Sequence, residues 1–96
     1  MPRYPGKAIV DRIYSAIQMT SNKSFLSYKN EAIFSDYMSR LYKETISFTK
    51  KHTPDVNKDM LTQIIDLLDE LETDGDYYLF YYQDQFRRLL SDNLNQ

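Results

Sequence analysis

Apolar side chains recur along most of the chain at the three- and four-residue spacing that one face of an α-helix requires. Four such segments follow an irregular start, "MPRYPG" at residues 1–6, which holds two Pro and a Gly. The pattern predicts helices at about residues 7–19, 28–51, 57–72 and 77–93. Amphipathic helices with short connections bury their apolar faces together, so we expect an all-α fold, an antiparallel up-down four-helix bundle.

The apolar positions of each predicted helix form a stripe that we expect to face the core. In the first helix the stripe is Ile9, Val10, Ile13, Tyr14, Ala16 and Ile17. In the second it is Phe34, Tyr37, Met38, Leu41, Thr45 and Phe48, flanked by Ile33, Tyr42 and Ile46. In the third it is Met60, Leu61, Ile64, Ile65, Leu67, Leu68 and Leu71. In the fourth it is Leu79, Tyr82, Phe86, Leu89 and Leu90.

Proline, asparagine and glycine mark the predicted ends of the third helix. Pro54 is predicted to stop the second helix, and Asn57 is predicted to be the N-cap of the third. Val56 and Leu61 have the spacing of a hydrophobic staple around that cap. Gly75 is the predicted residue just after the helix, where a left-handed conformation is common.

The run "YYLFYY" at residues 77–82 allows two interpretations. Tyr and Phe favour strands, but no other segment alternates with a period of two, and a lone strand has no partner to pair with. With Asp76 as N-cap, the run instead continues as the first turns of the fourth helix. We therefore predict a helix that is aromatic on every side at its beginning.

The tyrosines of this run exceed what a small core needs. Tyr77, Tyr81 and Arg88 lie largely opposite the predicted apolar stripe, and Tyr78 and Phe80 lie at its flanks. Tyr offers a large contact area with few rotatable bonds and is common at binding hot spots. Tyr77, Tyr78, Tyr81 and Arg88 are therefore the candidate partner-binding residues. The alternative is that the rings cover the end of the bundle and the N-terminal segment.

Composition indicates a soluble globular chain that stays where it is made. The 96 residues are 42% hydrophobic and 27% charged, with no internal repeat or linker, so we expect one domain over residues 1–96. There is no Cys, no signal-peptide pattern and no apolar run long enough to span a membrane. We therefore expect a cytoplasmic protein.

The net charge of −2 is unevenly spread. Residues 1–52 carry nine Lys or Arg against four Asp or Glu, a net charge of +5. Residues 53–76 carry Lys58 against eight acids, a net charge of −7. The aromatic run has only Arg87 and Arg88 beside it, whereas a base-stacking surface needs a basic groove. We expect no nucleic-acid partner.

The sequence contains no complete motif for catalysis or metal binding. His52 is the only His, and nothing near it in sequence resembles a triad or a zinc site. The acids that match the first four ligand positions of a calcium loop around Gly75 are Glu70, Glu72, Asp74 and Asp76. The twelfth position needs a bidentate Glu and has Tyr81. We expect no enzyme, metal ion, cofactor or small-molecule substrate.

The segment "AIVDRIYSAI" at residues 8–17 resembles the opening of the enterocin A immunity family, small proteins made alongside pediocin-like bacteriocins. The family pattern is an apolar pair, two polar residues, an aliphatic–Tyr pair and a further apolar position. The matching residues are Ile9, Val10, Ile13, Tyr14 and Ile17. The long second helix, the Leu- and Ile-rich third helix and the "FRRLL" of the fourth also resemble the family over nearly the whole chain.

The resemblance implies a non-enzymatic protein that protects a bacteriocin producer. It implies action at the cytoplasmic face of the membrane, on a mannose phosphotransferase permease that has already bound the bacteriocin, with peripheral membrane contact. Because the C-terminal half of the family is associated with bacteriocin recognition, it points to the third and fourth helices here. Family members are often basic and this chain is mildly acidic, which weakens an attraction to anionic lipid.

A second interpretation comes from another class of protein. A small Cys-free helical chain also suits a protein–protein interaction module or regulator of phage or plasmid origin. That interpretation predicts self-association or a soluble protein partner, and no bacteriocin phenotype.

Overall fold

The computed structural model describes residues 4–20, 28–70 and 77–95. Most of these residues belong to four α-helices, which are α1 (Lys7–Thr20), α2 (Tyr28–Thr49), α3 (Pro54–Asp69) and α4 (Tyr77–Leu94). No strand occurs in this part of the chain, which confirms the predicted all-α class. The aromatic run at 77–82 opens α4, so the helix interpretation is correct and the strand interpretation is not.

The boundary between α2 and α3 differs from the prediction. Pro54 was expected to end the second helix, but it is the first residue of α3, where its missing N–H and restricted φ fit. Thr53 is the N-cap in place of Asn57, and its Oγ1 accepts from the backbone N–H of Val56 at 3.5 Å. Asn57 lies inside the helix and is buried. The predicted cap at Gly75 lies outside the described residues.

The turn before α1 depends on Gly6. Gly6 has a φ of 89° and its carbonyl accepts from the backbone N–H of Val10 at 3.1 Å, so it caps the helix. A Cβ at this position would lie 2.6 Å from Sδ of Met60, a fully buried side chain of α3. The positive φ and the close approach to α3 both require glycine.

We expect Gly6→Ala to lower the free energy of unfolding by about 1–2 kcal/mol. The strain can be relieved by detaching residues 4–6 from α3, which limits the loss but breaks the Tyr4–Gln63 hydrogen bond of 2.6 Å. Chemical denaturation measures the loss, and NMR shifts of the Gln63 side-chain amide report the detachment. The same two measurements are made for comparison on Ala8→Gly, a substitution at an exposed position of the same helix. Unchanged stability and unchanged Gln63 shifts in Gly6→Ala would contradict this account.

The core is built from the apolar stripes of all four helices. Its buried residues are Ile9, Val10, Ile13, Ala16, Ile17, Met38, Leu41, Met60, Leu61, Ile64, Ile65, Leu68, Leu79, Tyr82 and Phe86. Each of them, and the buried Thr45, belongs to a predicted stripe. Four of the described aromatic or aliphatic residues that were expected at or beside the core are instead exposed: Tyr14, Ile33, Tyr37 and Phe80. They lie at the edges of their stripes, where no neighbouring helix covers them completely.

Contacts between helices are most extensive between α3 and α4. Near the beginning of α3, Asn57 Nδ2 donates to Asn93 Oδ1 at 2.8 Å, close to the end of α4. At the last residue of α3, Asp69 accepts a hydrogen bond from Gln83 and pairs with Arg87 at 2.6 Å. Both ends of α3 are therefore tied to α4.

Among the described residues, the other helix pairs share fewer polar contacts than α3 and α4. Arg12 of α1 pairs with Glu44 of α2 at 2.7 Å. Tyr82 of α4 donates its hydroxyl to the carbonyl of Ser35 in α2 at 2.6 Å. Over the described ranges 4–20, 28–70 and 77–95, no helix has both the length and the apolar character needed to cross a membrane.

Candidate functional site

The inner side of α4 is anchored firmly in the core. Leu79, Tyr82 and Phe86 are buried at successive turns, as the stripe predicts. The Phe86 ring packs edge-to-face against Tyr42 of α2, with centroids 5.4 Å apart. The Tyr82 hydroxyl, which a buried ring must satisfy, reaches the Ser35 carbonyl. These contacts set the rotation of α4 and so determine which side chains point outward.

The outward side of α4 displays two aromatic rings and an ion pair. We call this set the outer face of α4: Phe80, Tyr81, Asp84 and Arg88. Phe80 is 52% exposed and Tyr81 is 50% exposed. Arg88 Nε lies 3.0 Å from Asp84 Oδ2, one helical turn away. The face is therefore apolar at the beginning of the helix and charged in its middle.

The Tyr81 ring has a fixed neighbour on its inner side. It lies edge-to-face on the Tyr82 ring, with centroids 5.2 Å apart and an interplanar angle of 82°. Because Tyr82 is held by Ser35, Tyr81 is supported by the α2–α4 contact although half of its surface is exposed. A supported ring loses less conformational freedom on binding than a free one.

The half-buried Tyr42 borders the same face from α2. Burial raises the pKa of its hydroxyl, the neighbouring Tyr81 and Asp92 raise it further, and Arg88 lowers it. The Tyr42 hydroxyl therefore stays protonated at neutral pH. It adds a neutral hydrogen-bonding group beside Tyr81 and Arg88.

Aromatic rings and an arginine are the side chains that most often dominate protein–protein contacts. The exposed Asp84–Arg88 pair contributes little to stability, about 0.3–0.5 kcal/mol for this spacing on a helix, so Arg88 is available to a partner carboxylate. Within the described residues, no three His, Cys, Asp or Glu side chains come together as a metal ion would require. The outer face of α4 is suited to contact with another macromolecule.

The structure brings two of the four sequence-predicted site residues together. Tyr81 and Arg88 lie on the outer face of α4, as expected. Tyr77 and Tyr78 begin α4, but their side chains lie outside the described part of the chain. Phe80 was assigned to the flank of the stripe and instead points outward. Its position one turn before Asp84, and away from Phe86, is the sequence signal that identifies it.

Among the described rings, Tyr81 does not take the alternative role of covering the N-terminal segment. The described part of that segment lies on α3, where Tyr4 donates to Gln63 and Gly6 approaches Met60. Tyr81 remains half exposed. The single His behaves as the sequence suggested: His52 is exposed at the end of α2, stacked on Phe48 at 3.8 Å.

Comparison of the chain with protein-family models, with curated proteins and with solved structures yields no match. What the outer face of α4 does is therefore inferred from its chemistry and from the resemblance carried by residues 8–17.

Proposed function

We propose that this chain is a bacteriocin immunity protein that acts by binding and not by catalysis. The observation that carries the proposal is the pair of half-exposed rings, Phe80 and Tyr81, beside Arg88 on one side of α4. In this proposal the outer face of α4 contacts the cytoplasmic side of a mannose phosphotransferase permease that has bound a pediocin-like bacteriocin. The bound protein then prevents the permease–toxin complex from harming the cell.

The exposed rings support a binding role on energetic grounds. About half of the surface of each ring, Phe80 and Tyr81, is exposed to water in the isolated chain. Burying that surface in a complex is favourable by about 25 cal/mol per Å². Each ring has few rotatable bonds, so little entropy is lost when it is immobilised. The adjacent Arg88 and the Tyr42 hydroxyl provide the directional contacts that make such a surface specific.

The proposal includes an antiparallel up-down arrangement of the four helices. The ends of α3 support it, because Asn57 near its start meets Asn93 near the end of α4, and Asp69 at its end meets Gln83 nearer the beginning of α4. A common direction for α2 and α4 is supported by the Ser35–Tyr82 hydrogen bond and, further along both helices, by the ring contact to Phe86. This arrangement presents α4 along one long side of the bundle.

Protection of a sensitive cell tests the proposal directly. The chain is expressed in a bacteriocin-sensitive Listeria or enterococcal indicator strain, and the inhibitory concentration is measured for a panel of pediocin-like bacteriocins. We expect a higher inhibitory concentration for one or a few of them. The double variant Phe80→Ala/Tyr81→Ala is expected to reduce this protection by about tenfold or more, equivalent to about 1.4 kcal/mol or more of binding free energy.

Variants at other exposed residues test whether protection depends on the outer face of α4 in particular or on any exposed aromatic ring. Tyr37→Ala removes an exposed ring on α2 and is expected to keep full protection. Arg88→Ala, Tyr77→Ala and Tyr78→Ala test the remaining predicted residues in the same assay. Full protection by a folded Phe80→Ala/Tyr81→Ala variant would rule out this face while leaving immunity standing. No protection by the unmodified, folded chain against any toxin would refute immunity and favour the interaction-module alternative.

A further inference from the structure

A concave surface lies between α1 and α3, and it includes none of the residues of the outer face of α4. It is an open groove with a volume of about 410 Å³. Two aromatic rings, two apolar residues and two carboxylates dominate its lining: Tyr4, Tyr14, Val10, Leu67, Asp66 and Glu70. Grooves that hold ligands commonly have about 300–1,000 Å³, with an apolar lining and a few polar groups at defined positions.

The aromatic walls of the groove are partly solvent-exposed. Tyr14 is 49% exposed, although its position in α1 belongs to the predicted core stripe. Tyr4 is held at the other end by its hydrogen bond to Gln63, and the Lys7 ammonium lies 5.7 Å from its ring centroid. Both rings line the groove together with the buried Val10 and the partly buried Leu67.

The groove carries more negative charge than its own cations balance. Asp66 in the last turn of α3 and Glu70, its C-cap, stand four residues apart, are exposed, and form no ion pair with any residue of the described chain. Lys7 and Asp11 also line the groove and pair with each other at 2.7 Å, so the groove holds three carboxylates and one ammonium group. Outside the groove, Asp69 pairs with Arg87. Two carboxylates without an ion-pair partner among the described residues, beside two tyrosine rings, are complementary to a ligand with a flat cationic group and an apolar stem.

We propose that this groove binds a short basic segment of a partner polypeptide, with an arginine side chain lying against Tyr14 and pairing with Asp66 and Glu70. The guanidinium group is planar, stacks on aromatic faces and donates several hydrogen bonds to carboxylates. Its aliphatic stem covers the floor formed by Val10 and Leu67. The inference is independent of the immunity proposal, because it uses none of the residues of the outer face of α4.

A pair of synthetic peptides provides the test. The first is the acetylated and amidated pentapeptide SRLRS, and the second replaces both arginines with citrulline, which keeps the shape and removes the charge. Each is titrated into the isotope-labelled full chain, with amide shifts followed by NMR. We expect the arginine peptide to shift Val10, Tyr14 and Leu67, and to bind about tenfold more tightly than the citrulline peptide.

Charge-matched variants locate the site. Asp66→Asn/Glu70→Gln is expected to weaken binding of the arginine peptide about fivefold or more. Asp55→Asn/Asp92→Asn removes the same amount of charge from exposed positions elsewhere, and it is expected to change the affinity for the arginine peptide by less than about twofold. Tyr14→Ala is expected to weaken binding of the arginine peptide about threefold or more, because one cation–π contact is lost.

Three results would overturn the proposal. The first is equal binding of the arginine and citrulline peptides, or no binding of either. The second is an equal loss in the two charge-matched variants, which indicates general electrostatic attraction. The third is a shift pattern centred on the outer face of α4 instead of the groove. All four replaced acids are exposed, so each variant is expected to fold, and its thermal unfolding midpoint checks this.

Discussion

Phe86→Ala is expected to lower the free energy of unfolding by about 3–5 kcal/mol, a large share of the stability of a chain of this size. Phe86 is fully buried at the centre of α4, so truncation leaves a cavity that its neighbours fill only in part. The change also removes the edge-to-face contact with Tyr42, worth about 0.5–1.5 kcal/mol beyond buried area. Urea denaturation followed by circular dichroism measures the loss.

Phe80→Ala is the matched control for this prediction. It removes the same type of side chain from the same helix, six residues earlier, where 52% of the side chain is in water. We expect its free energy of unfolding to change by less than about 1 kcal/mol, because alanine also favours the helix. Similar losses in the free energy of unfolding for Phe86→Ala and Phe80→Ala would show that α4 is not rotated with Phe86 inward and Phe80 outward. That rotation also underlies the outer face of α4, so the pair tests the site as well as the core.

Asn57→Ala is expected to destabilise the fold by about 2–4 kcal/mol. The Asn57 side chain is fully buried, and its Nδ2 donates to the carbonyls of Thr49 (3.0 Å) and His52 (3.2 Å) and to Asn93 Oδ1 (2.8 Å). Alanine leaves the buried Asn93 Oδ1 and the two part-buried carbonyls without their donor, and the loss at a buried acceptor costs more than the net value of a hydrogen bond. The gain from removing Asn57 Oδ1, which has no partner among the described residues, offsets part of it.

Two further variants define the Asn57 prediction. Asn95→Ala, an exposed asparagine just after α4, is expected to have an effect below about 0.5 kcal/mol. Asn57→Asp keeps the shape but directs a carboxylate at three oxygens, so it is expected to be at least as damaging as alanine at neutral pH. Protonation removes the charge of the introduced carboxylate, so the Asn57→Asp variant should recover stability as the pH falls. Wild-type stability in Asn57→Ala would mean that the buried bonds are not formed.

The Asn57 side chain joins three elements at one end of the fold. It connects the last turn of α2, the turn before α3 and the end of α4 through Asn93, whose own Nδ2 donates to the Leu89 carbonyl at 2.8 Å. Buried polar contacts of this kind restrict how neighbouring helices can slide past each other. A double-mutant cycle between Asn57 and Asn93 isolates the part of the stability that belongs to this pair.

The helices themselves follow from local sequence. Every apolar residue of the buried core was expected at the core from its three- and four-residue spacing, because that spacing is a property of a single helix and needs no knowledge of its neighbours. The start of α4 was predicted at Tyr77 for the same reason. Boundaries were less predictable. The misassigned N-cap shows why, since Thr53 and Asn57 are both residue types that cap helices. Pro54 can either follow a finished helix or begin a new one, and the burial of Asn57 inside α3 shows that it begins one.

The candidate sites were predictable in part. Tyr81 and Arg88 were identified from helical periodicity. Phe80 was placed at the flank of the stripe, although the same periodicity sets it on the side away from Phe86, and it is exposed. The sequence by itself determined the helical class and the side chains that enter the core, since hydrophobic spacing acts within each helix. Only the tertiary structure decided the exposure of Tyr14, the burial of Asn57 and the groove between α1 and α3, because each depends on which helix packs beside it and at what rotation.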